Sequence, residues 1–411
     1  MKLLFVNDID LPGARFNGYD LQVELNRRNI LAKQMVVERQ GKDPNTVPLV
    51  SDRTRYFESY IRDLERELSL NGLAGVYGRI LMDRQEFLDA DIVHYHLIHN
   101  SLISLLDLPK MMSIKPSVWT LHDPWALTGH CIHPIRCDRW RSGCKVCPYL
   151  DRIFALKKDN SGAIWKIKKA VYAQLLNVDI VVASKWMQTM VAESPLTMNF
   201  KRVHLIPFGI DLSIFSPKKN KQAIREKYGV LQDAFVIFFR AEESEFKGLQ
   251  YIKKMLDVLD VSNNVVLLTV GQKGLLNEFK YKYTVKDHGW LNDPNDLAEL
   301  YCAADIFLMP SIAEAFGLMA VEAMASGVPV IVFEGTALPS VTFAPNCGIL
   351  LKPEDTLQFA ETIKRLMNDR TEIEYRGKLG VELANQYYNI EQYNSNMYDL
   401  YKEIYQRTRE A

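Results

Sequence analysis

The most restrictive feature of this chain is a strand–turn–helix–strand pattern at residues 306–333. The apolar run 306–309 predicts a short buried strand, which Pro310 ends. Gly317 lets the backbone turn into an apolar helix, and a second apolar run, 330–333, predicts the next strand. Such a unit is typical of an open parallel α/β sheet, in which ligands bind where the carboxyl ends of strands meet the amino ends of helices.

Two glutamates lie in this unit with seven residues between them. Glu314 is on the loop after the first strand, and Glu322 is in the second turn of the helix. A carboxylate that accepts two hydrogen bonds suits a vicinal diol, and a helix start attracts phosphate. The pair therefore predicts a nucleotide-sugar site, with one glutamate on the sugar and the other on the ribose. A solvated loop glutamate and a surface ion pair on the helix are the alternative, and the spacing alone leaves both open.

The stretch from Glu314 to Val330 resembles the Glu-x7-Glu signature of the family 4 retaining glycosyltransferases, which have the GT-B fold. The flanking Pro310-Ser311 and Gly327-x-Pro329-Val330 fit the same signature. The resemblance covers the C-terminal half well and the N-terminal half loosely. It implies an α/β protein of two Rossmann-like doubly wound domains that face each other across a cleft.

Length and composition agree with two domains and limit the function. The chain has 411 residues, 48% of them apolar, and a formal net charge of zero. This balance gives no global attraction to nucleic acid or to an anionic membrane. We expect the N-terminus to be a first strand and not a signal peptide, and we see no apolar run that could span a membrane. The sequence therefore predicts a cytoplasmic protein whose thiols stay reduced.

The domain limits follow from a turn that resembles the crossing between the two domains of the family. This turn is Pro207-Phe-Gly-Ile-Asp211. We predict an N-terminal acceptor-side domain at 1–207 with a cysteine-rich insert at 124–150. A C-terminal nucleotide-sugar-binding domain should follow at 208–390. The last helix, 391–411, should pack back on the N-terminal domain.

Two cations follow the first strand of the C-terminal domain. Arg240 ends the predicted strand 235–239, and Lys247-Gly248 comes seven residues later. The resemblance implies that this pair grips the donor diphosphate. Negative charge develops on the leaving phosphate, and two fixed cations with a helix start would stabilise it without a metal. We therefore expect no cofactor for catalysis. A surface arginine and lysine without a ligand are the alternative.

The resemblance also implies a set of substrate contacts, although two loops depart from the family pattern. The loop 7–18 lacks the paired glycines that usually lie near the donor phosphates. Ser340 follows Pro339 where the family usually has a glutamate. The segment His288-Gly289-Trp290 resembles the one whose backbone reads the base. The substrate-binding candidates are Gly13, Arg15, Asp123, His288, Phe316, Gly317, Leu318 and Glu322.

A histidine and an aspartate end a predicted strand of the N-terminal domain. The strand 117–121 ends in His122-Asp123, and His122 resembles the cleft histidine that lies near the transferred sugar and the acceptor. A neutral imidazole can donate or accept a hydrogen bond beside the reacting hydroxyl. Alternatively, Asp123 holds His122 for loop structure. His94 and His96 share one face of another strand end, and we expect satisfied polar side chains there and not a metal site.

Four of the six cysteines lie within seventeen residues: Cys131, Cys137, Cys144 and Cys147. The Cys144-x2-Cys147 knuckle can hold one ion from one side. Four thiolates with no open position predict a structural zinc, with an iron–sulfur cluster as the second choice. Two disulfides or four free thiols are the alternatives. The insert resembles those of bacterial surface-polysaccharide glycosyltransferases, and its predicted role is to staple a loop over the acceptor cleft.

A lysine-rich segment follows the cysteines at 157–176. It carries Trp165 among several lysines. A basic helix with a tryptophan can lie on an anionic membrane, so we keep peripheral contact with the inner face of the membrane as a hypothesis. A solvated helix face explains the same pattern.

Together these features predict a retaining glycosyltransferase. It would move a hexose from a UDP- or GDP-linked donor to a glycan or lipid-linked saccharide, in cell-surface polysaccharide synthesis. One alternative is a GT-B epimerase or phosphorylase. The other is a non-enzymatic, metal-stapled module that binds glycan or nucleic acid, which Arg136, Arg139 and Arg141 suggest. The balanced charge elsewhere argues against a nucleic-acid partner.

Overall fold

A computed structural model gives the fold of residues 1–10, 18–99, 102–260 and 264–410, without the side chains of residues 52 and 53. The chain divides into two compact units. Unit 1 contains residues 1–206 and 393–411, and unit 2 contains residues 207–392. Each unit is built on one parallel sheet with helices, which confirms the predicted α/β class.

The sheet of unit 1 has seven strands in the order β3-β2-β1-β4-β5-β6-β7, and all neighbours are parallel. The central strands are apolar and buried along their whole length, as expected for a parallel sheet covered on both faces. The strands are β1 (Lys2–Ile9), β2 (Leu31–Glu38), β3 (Thr46–Pro48), β4 (Ile92–Tyr95), β5 (Ser117–Leu121), β6 (Val178–Val182) and β7 (Val203–Leu205).

The helices of unit 1 connect these strands. Helix α2 begins at a serine cap, because the Ser51 side chain accepts a hydrogen bond from the N–H of Thr54. The helices are α1 (Tyr19–Arg27), α2 (Asp52–Glu67), α3 (Tyr77–Met82), α4 (Gln85–Asp89), α5 (Leu108–Ile114), α6 (Ser161–Tyr172) and α7 (Lys185–Glu193). Short 3-10 turns lie at 105–107, 124–127 and 139–141.

The sheet of unit 2 has six parallel strands in the order β10-β9-β8-β11-β12-β13. Strand order reverses next to β8, which places the carboxyl ends of β8 and β11 side by side. Ligands of open α/β sheets bind at such a switch point. The strands are β8 (Phe235–Ala241), β9 (Val265–Gly271), β10 (Thr284–Asp287), β11 (Ile306–Met309), β12 (Val330–Phe333) and β13 (Ile349–Leu351).

The helices of unit 2 cover both faces of this sheet, and one large apolar cluster lies between the sheet and helices α9 and α13. The helices are α8 (Lys221–Lys227), α9 (Leu249–Val258), α10 (Pro294–Ala303), α11 (Leu318–Ala325), α12 (Leu338–Val341), α13 (Thr356–Asn368) and α14 (Arg370–Tyr387). The predicted helix of the Glu-x7-Glu stretch is therefore α11, between β11 and β12.

The last helix, α15 (Ile390–Glu410), belongs to unit 1 from Tyr393 onward. Its Tyr401 is fully buried and its Arg407 pairs with Asp179 of β6. Within the part of the chain described here, no helix combines the length and the apolar character needed to cross a membrane.

Candidate functional site

The first candidate site lies in unit 2, on the loops that follow β8 and β11. These strands are parallel neighbours, with Leu308 opposite Phe239, so their carboxyl ends meet at one edge of the sheet. The two loops are also joined directly, because the N–H of Ile312 donates to the carbonyl of Phe246 at 2.9 Å. The neighbouring side chains on the two loops are therefore held at a fixed distance.

Lys247 and Glu314 meet across these loops. Lys247 Nζ lies 2.6 Å from Glu314 Oε1, and the two side chains are 31% and 13% exposed. Gly248 makes this approach possible, since its φ is +82° and a Cβ there would lie 2.0 Å from the carbonyl oxygen of Pro310. The structure thus brings together two predicted catalytic residues that are 67 positions apart in the sequence.

The start of helix α11 lies on the same loop as Glu314. Gly317 caps this helix with φ +98°, and a Cβ there would lie 2.4 Å from Leu338 Cδ2. The first N–H groups of the helix, beginning at Leu318, have no acceptor within the helix and can bind an anion. The ring of Phe316 packs against Phe208 and Tyr388, so only the backbone of Phe316 can serve the predicted substrate contact.

Arg240 is the last residue but one of β8 and is held between two residues that the sequence analysis did not assign to it. Its Nη2 lies 2.7 Å from Glu242 Oε2, and its guanidinium lies over the ring of Trp290 at 4.8 Å. Arg240 Nε is buried and has no acceptor within the described part of the chain. Trp290 is 62% exposed. The guanidinium is therefore oriented by Glu242 and Trp290.

Glu322 is buried, whereas the alternative interpretation placed it on the surface. It is 4% exposed, and its Oε2 lies 3.2 Å from the hydroxyl of Tyr301 on α10. The same hydroxyl lies 3.1 Å from the carbonyl of Met319. Its role on a ribose stays a prediction.

His288 follows β10 in the segment predicted to read the base. Its backbone N–H donates to the carbonyl of Thr269 at 3.0 Å, and its ring packs edge to face against Tyr228, with 5.1 Å between the ring centroids. Burial lowers the pKa of His288, so the imidazole is neutral at pH 7. A neutral ring beside an exposed tryptophan can hydrogen-bond or stack with a base, but the contact itself stays a prediction.

The second candidate site lies in unit 1, where β4 and β5 end. His96 Nδ1 lies 3.0 Å from His122 Nε2, and His99 Nε2 lies 2.8 Å from Asp123 Oδ2. Asp123 also accepts the N–H of Trp125 at 2.8 Å. The alternative interpretation had Asp123 hold His122, but the carboxylate of Asp123 pairs with His99, and His96 contacts His122.

Burial sets the protonation states of this group. Burial, and then the neighbouring His96, hold the pKa of His122 well below its usual value. Burial would raise the pKa of the Asp123 carboxyl, but His99 holds it below its usual value. At neutral pH, His122 is therefore neutral and can exchange one hydrogen bond with a hydroxyl, while Asp123 is ionised.

His94 has the structural role expected of a satisfied strand-end side chain. It is 1% exposed, and its two ring nitrogens lie 2.6 Å from the hydroxyl of Tyr401 and 2.7 Å from that of Thr120. Both ring positions are therefore taken within unit 1. Since Tyr401 lies on α15, His94 also ties the last helix to β4.

The four clustered cysteines line one small cavity together with His130. As the side chains stand, no group of three or more His, Cys, Asp or Glu residues within the described ranges is arranged so that it could hold a metal ion. The structural zinc stays a prediction for this reason, and the cysteines are free thiols here.

The tryptophan that suggested membrane contact is not available to a lipid surface in this structure. Trp165 is 7% exposed, and its indole N–H donates to the carbonyl of Trp140 at 2.9 Å. Lys168 on the same helix is fully buried and donates to the carbonyls of Trp125 and Thr128. Membrane contact through 157–176 stays a prediction that lacks its proposed anchor. The predicted substrate residues Gly13 and Arg15 lie outside the described residues.

Comparisons with known proteins identify the C-terminal part of the chain. Residues 220–382 match the family described as glycosyl transferases group 1. The putative colanic acid biosynthesis glycosyl transferase WcaC of Escherichia coli is 25% identical over 280 residues, which are 66% of this chain and 67% of that protein. The chain spans about half the length of several further curated glycosyltransferases that it matches.

Solved structures match over nearly the whole chain. Sucrose-phosphate synthase from Thermosynechococcus elongatus is similar with a TM-score of 0.70 and 18% identity, over 99% of this chain and 100% of that one. HepE from Anabaena, solved in complex with UDP-glucose, is similar with a TM-score of 0.65 and 16% identity, over 98% and 100%. The chain therefore has the GT-B fold, and its residues 220–382 match the glycosyl transferases group 1 family.

Proposed function

We propose that the protein is a retaining glycosyltransferase of family 4 that moves a hexose from a UDP- or GDP-linked donor to a glycan or lipid-linked saccharide. The observation that carries this proposal is the contact between Lys247 and Glu314 beside a helix start, at the switch point of a parallel sheet. That position offers a cation for a phosphate and a carboxylate for sugar hydroxyls within one hydrogen bond of each other.

The chemistry needs charge stabilisation on the leaving group. When the bond between the anomeric carbon and the diphosphate breaks, the diphosphate oxygen gains negative charge. Lys247, Arg240 and the first N–H groups of α11 can receive that charge, because the fold holds them on the strand ends and loops of one sheet. In this proposal the side chains and the helix start do this work without a catalytic metal.

The carboxylates bind hydroxyls and do not attack carbon. Glu314 is engaged by Lys247, which suits a residue that orients donor sugar hydroxyls. Glu322 would hold the ribose. The freed diphosphate oxygen can itself accept the proton of the acceptor hydroxyl, on the face from which the leaving group departs, so the anomeric configuration is kept. His122 would lie beside the reacting centre as a neutral hydrogen-bonding group.

The names of similar proteins agree with this substrate class. WcaC is described as a colanic acid biosynthesis glycosyl transferase, and HepE was solved with UDP-glucose. We therefore place the acceptor among saccharides of polysaccharide or glycolipid synthesis, with UDP-hexoses as the first donors to test.

The decisive experiment has two steps. A panel of UDP- and GDP-sugars is screened for a rise in the melting temperature, since a ligand that binds only the folded state stabilises it. The best donor is then incubated with saccharide acceptors, and the anomeric configuration of the product is read by NMR. Transfer with retention is expected. Epimerised donor without acceptor, or cleavage that depends on added phosphate, would replace the proposal with an epimerase or a phosphorylase.

A further inference from the structure

The cysteine-rich segment converges on a cavity of about 10 Å³. It is lined by all four clustered cysteines, Cys131, Cys137, Cys144 and Cys147, and by His130. Such a volume is room for about one water-sized sphere. A single ion fits there, whereas a cluster of several iron and sulfide atoms does not.

Hydrogen-bond donors already point at two of the sulfurs. The N–H of Gly129 donates to Cys144 Sγ at 3.2 Å, and the N–H of Tyr149 donates to Cys147 Sγ at 3.4 Å. His130 Nε2 lies 3.1 Å from Cys147 Sγ. Donors of this kind stabilise a thiolate more than a thiol, because charge on the acceptor strengthens the bond.

The backbone of the knuckle is strained. Cys144 has φ +50° and Val146 has φ +57°, and neither residue is a glycine. A left-handed conformation costs an ordinary residue roughly 1–2 kcal/mol. Strain of this kind persists only where surrounding interactions determine the conformation, and it turns both knuckle cysteines toward the same cavity.

A buried cation also lies beside the cysteines. The side chain of Lys168 is fully buried, and burial lowers its pKa to about 7, while charge on Cys144 or Cys131 would raise that pKa. Its amine donates hydrogen bonds to the neutral carbonyls of Trp125 and Thr128. A buried charge is costly without a compensating charge. A metal ion with a charge of +2 and four thiolates would carry a net charge of −2 and supply it.

We propose that Cys131, Cys137, Cys144 and Cys147 bind one zinc ion in a closed tetrahedral site. The four thiols lose four protons to solvent as four zinc–sulfur bonds form. Because the side chains do not yet form a coordination sphere, binding requires rotation about χ1, which moves a cysteine sulfur between staggered positions without moving the backbone. His130 would donate to the Cys147 thiolate from outside the sphere.

The zinc site would stabilise the candidate site of unit 1 through a short chain of hydrogen bonds. The hydroxyl of Thr128 donates to the carbonyl of Cys131 at 2.6 Å. Lys168 joins the carbonyls of Thr128 and Trp125, and the N–H of Trp125 donates to Asp123. Loss of the metal should therefore loosen Asp123 and lower thermal stability.

The test starts with the wild-type protein purified without chelators. Elemental analysis is expected to find one zinc per chain, and a mercurial that modifies the cluster thiols should release it stoichiometrically. Cobalt, supplied in place of zinc, should give the thiolate-to-metal charge-transfer absorption of a tetrahedral site. These readouts do not depend on glycosyl transfer.

Variants assign the ligands. Each of C131S, C137S, C144S and C147S should lose the metal, while C302S and C347S, which change the two buried cysteines of unit 2, should keep it. H130Q should keep one zinc but bind it about 10–100-fold more weakly, as loss of an outer partner typically does. If a ligand variant does not fold, the wild-type metal content still decides. The proposal would be overturned by any of three results for the wild-type protein after reducing purification. These are four reactive cluster thiols without zinc, bound iron, or two disulfides in the cluster.

Discussion

Replacing Lys247 by methionine should slow transfer by about 10²–10³-fold in kcat, which corresponds to roughly 2.7–4 kcal/mol of lost transition-state stabilisation. Methionine keeps much of the side-chain volume and removes the ammonium that lies 2.6 Å from Glu314. The loss should fall on kcat, because the ammonium meets most negative charge when the diphosphate leaves. Substrate affinity should change less.

The fold should tolerate this substitution. Lys247 is 31% exposed, so solvent screens the ion pair and its contribution to stability is about 0–1 kcal/mol. For a unit of this size, a loss of about 1 kcal/mol would lower the melting temperature by about 2–4 °C. Circular dichroism melts should therefore separate a catalytic effect from unfolding.

The assay follows nucleotide release from the best donor at saturating acceptor. Lys254 provides a matched control, because it is an exposed lysine on α9, the helix that begins two residues after Lys247. K254M should keep the wild-type rate. A K247M enzyme within about threefold of wild type would refute the role of Lys247 on the leaving diphosphate, since a charged hydrogen bond alone is worth about 1.5–3 kcal/mol.

Three further predictions concern single contacts. Y301F removes the hydroxyl near Glu322. If one charged hydrogen bond between Glu322 and the ribose depends on that hydroxyl, calorimetry should show about tenfold weaker UDP binding. Unchanged UDP binding would contradict the role of Glu322 on the ribose. R225M removes the 2.8 Å partner of Asp305 Oδ2 and leaves Lys221 and Arg370 on Oδ1, so it should cost about 1–3 kcal/mol in urea unfolding, whereas K254M should cost nothing measurable. Burial, with a smaller effect from His122, holds the pKa of His94 well below its usual value. The contribution of His94 to the free energy of unfolding is therefore complete above pH about 6.5. Below that pH it declines by up to about 1.4 kcal/mol per pH unit. Unfolding of H94Q should lose that part of the acid sensitivity between pH 7.5 and 5.5, and an unchanged slope would contradict this assignment.

The sequence predicted the fold class and the elements around the candidate site because the signals are local. A proline after an apolar run, such as Pro310, marks the end of a strand, and a glycine before an apolar helix, such as Gly248, marks a helix start. The Glu-x7-Glu spacing lies within one such unit, so one short stretch was enough to predict β11, α11 and β12. The Lys247–Glu314 contact needed the resemblance as well, because no local rule joins residues 67 positions apart.

Pairings between strand ends were beyond local reasoning. His122 and Asp123 are adjacent, which suggested a contact between them as an alternative, but their side chains contact His96 and His99 on the segment after β4. One partner of Arg240 was missed for a related reason, since Trp290 comes from a distant loop. One signal was available and not used: in α6, Lys168 falls on the same face as Ile164 and Val171, three or four residues away, as expected of a buried position.

In the unit 2 site, the charged residues form ion pairs with one another. Arg240 pairs with Glu242 and Lys247 pairs with Glu314, so these four side chains sum to zero formal charge. Free cations held in a partly buried loop would repel each other and lose hydration, and each acid offsets that cost. In the proposed function, a diphosphate would compete with both carboxylates for the cations, which would limit how tightly the nucleotide product is retained. The sugar hydroxyls that Glu314 would gain in exchange are present only while the donor is intact, so the arrangement would favour binding of the donor over its product.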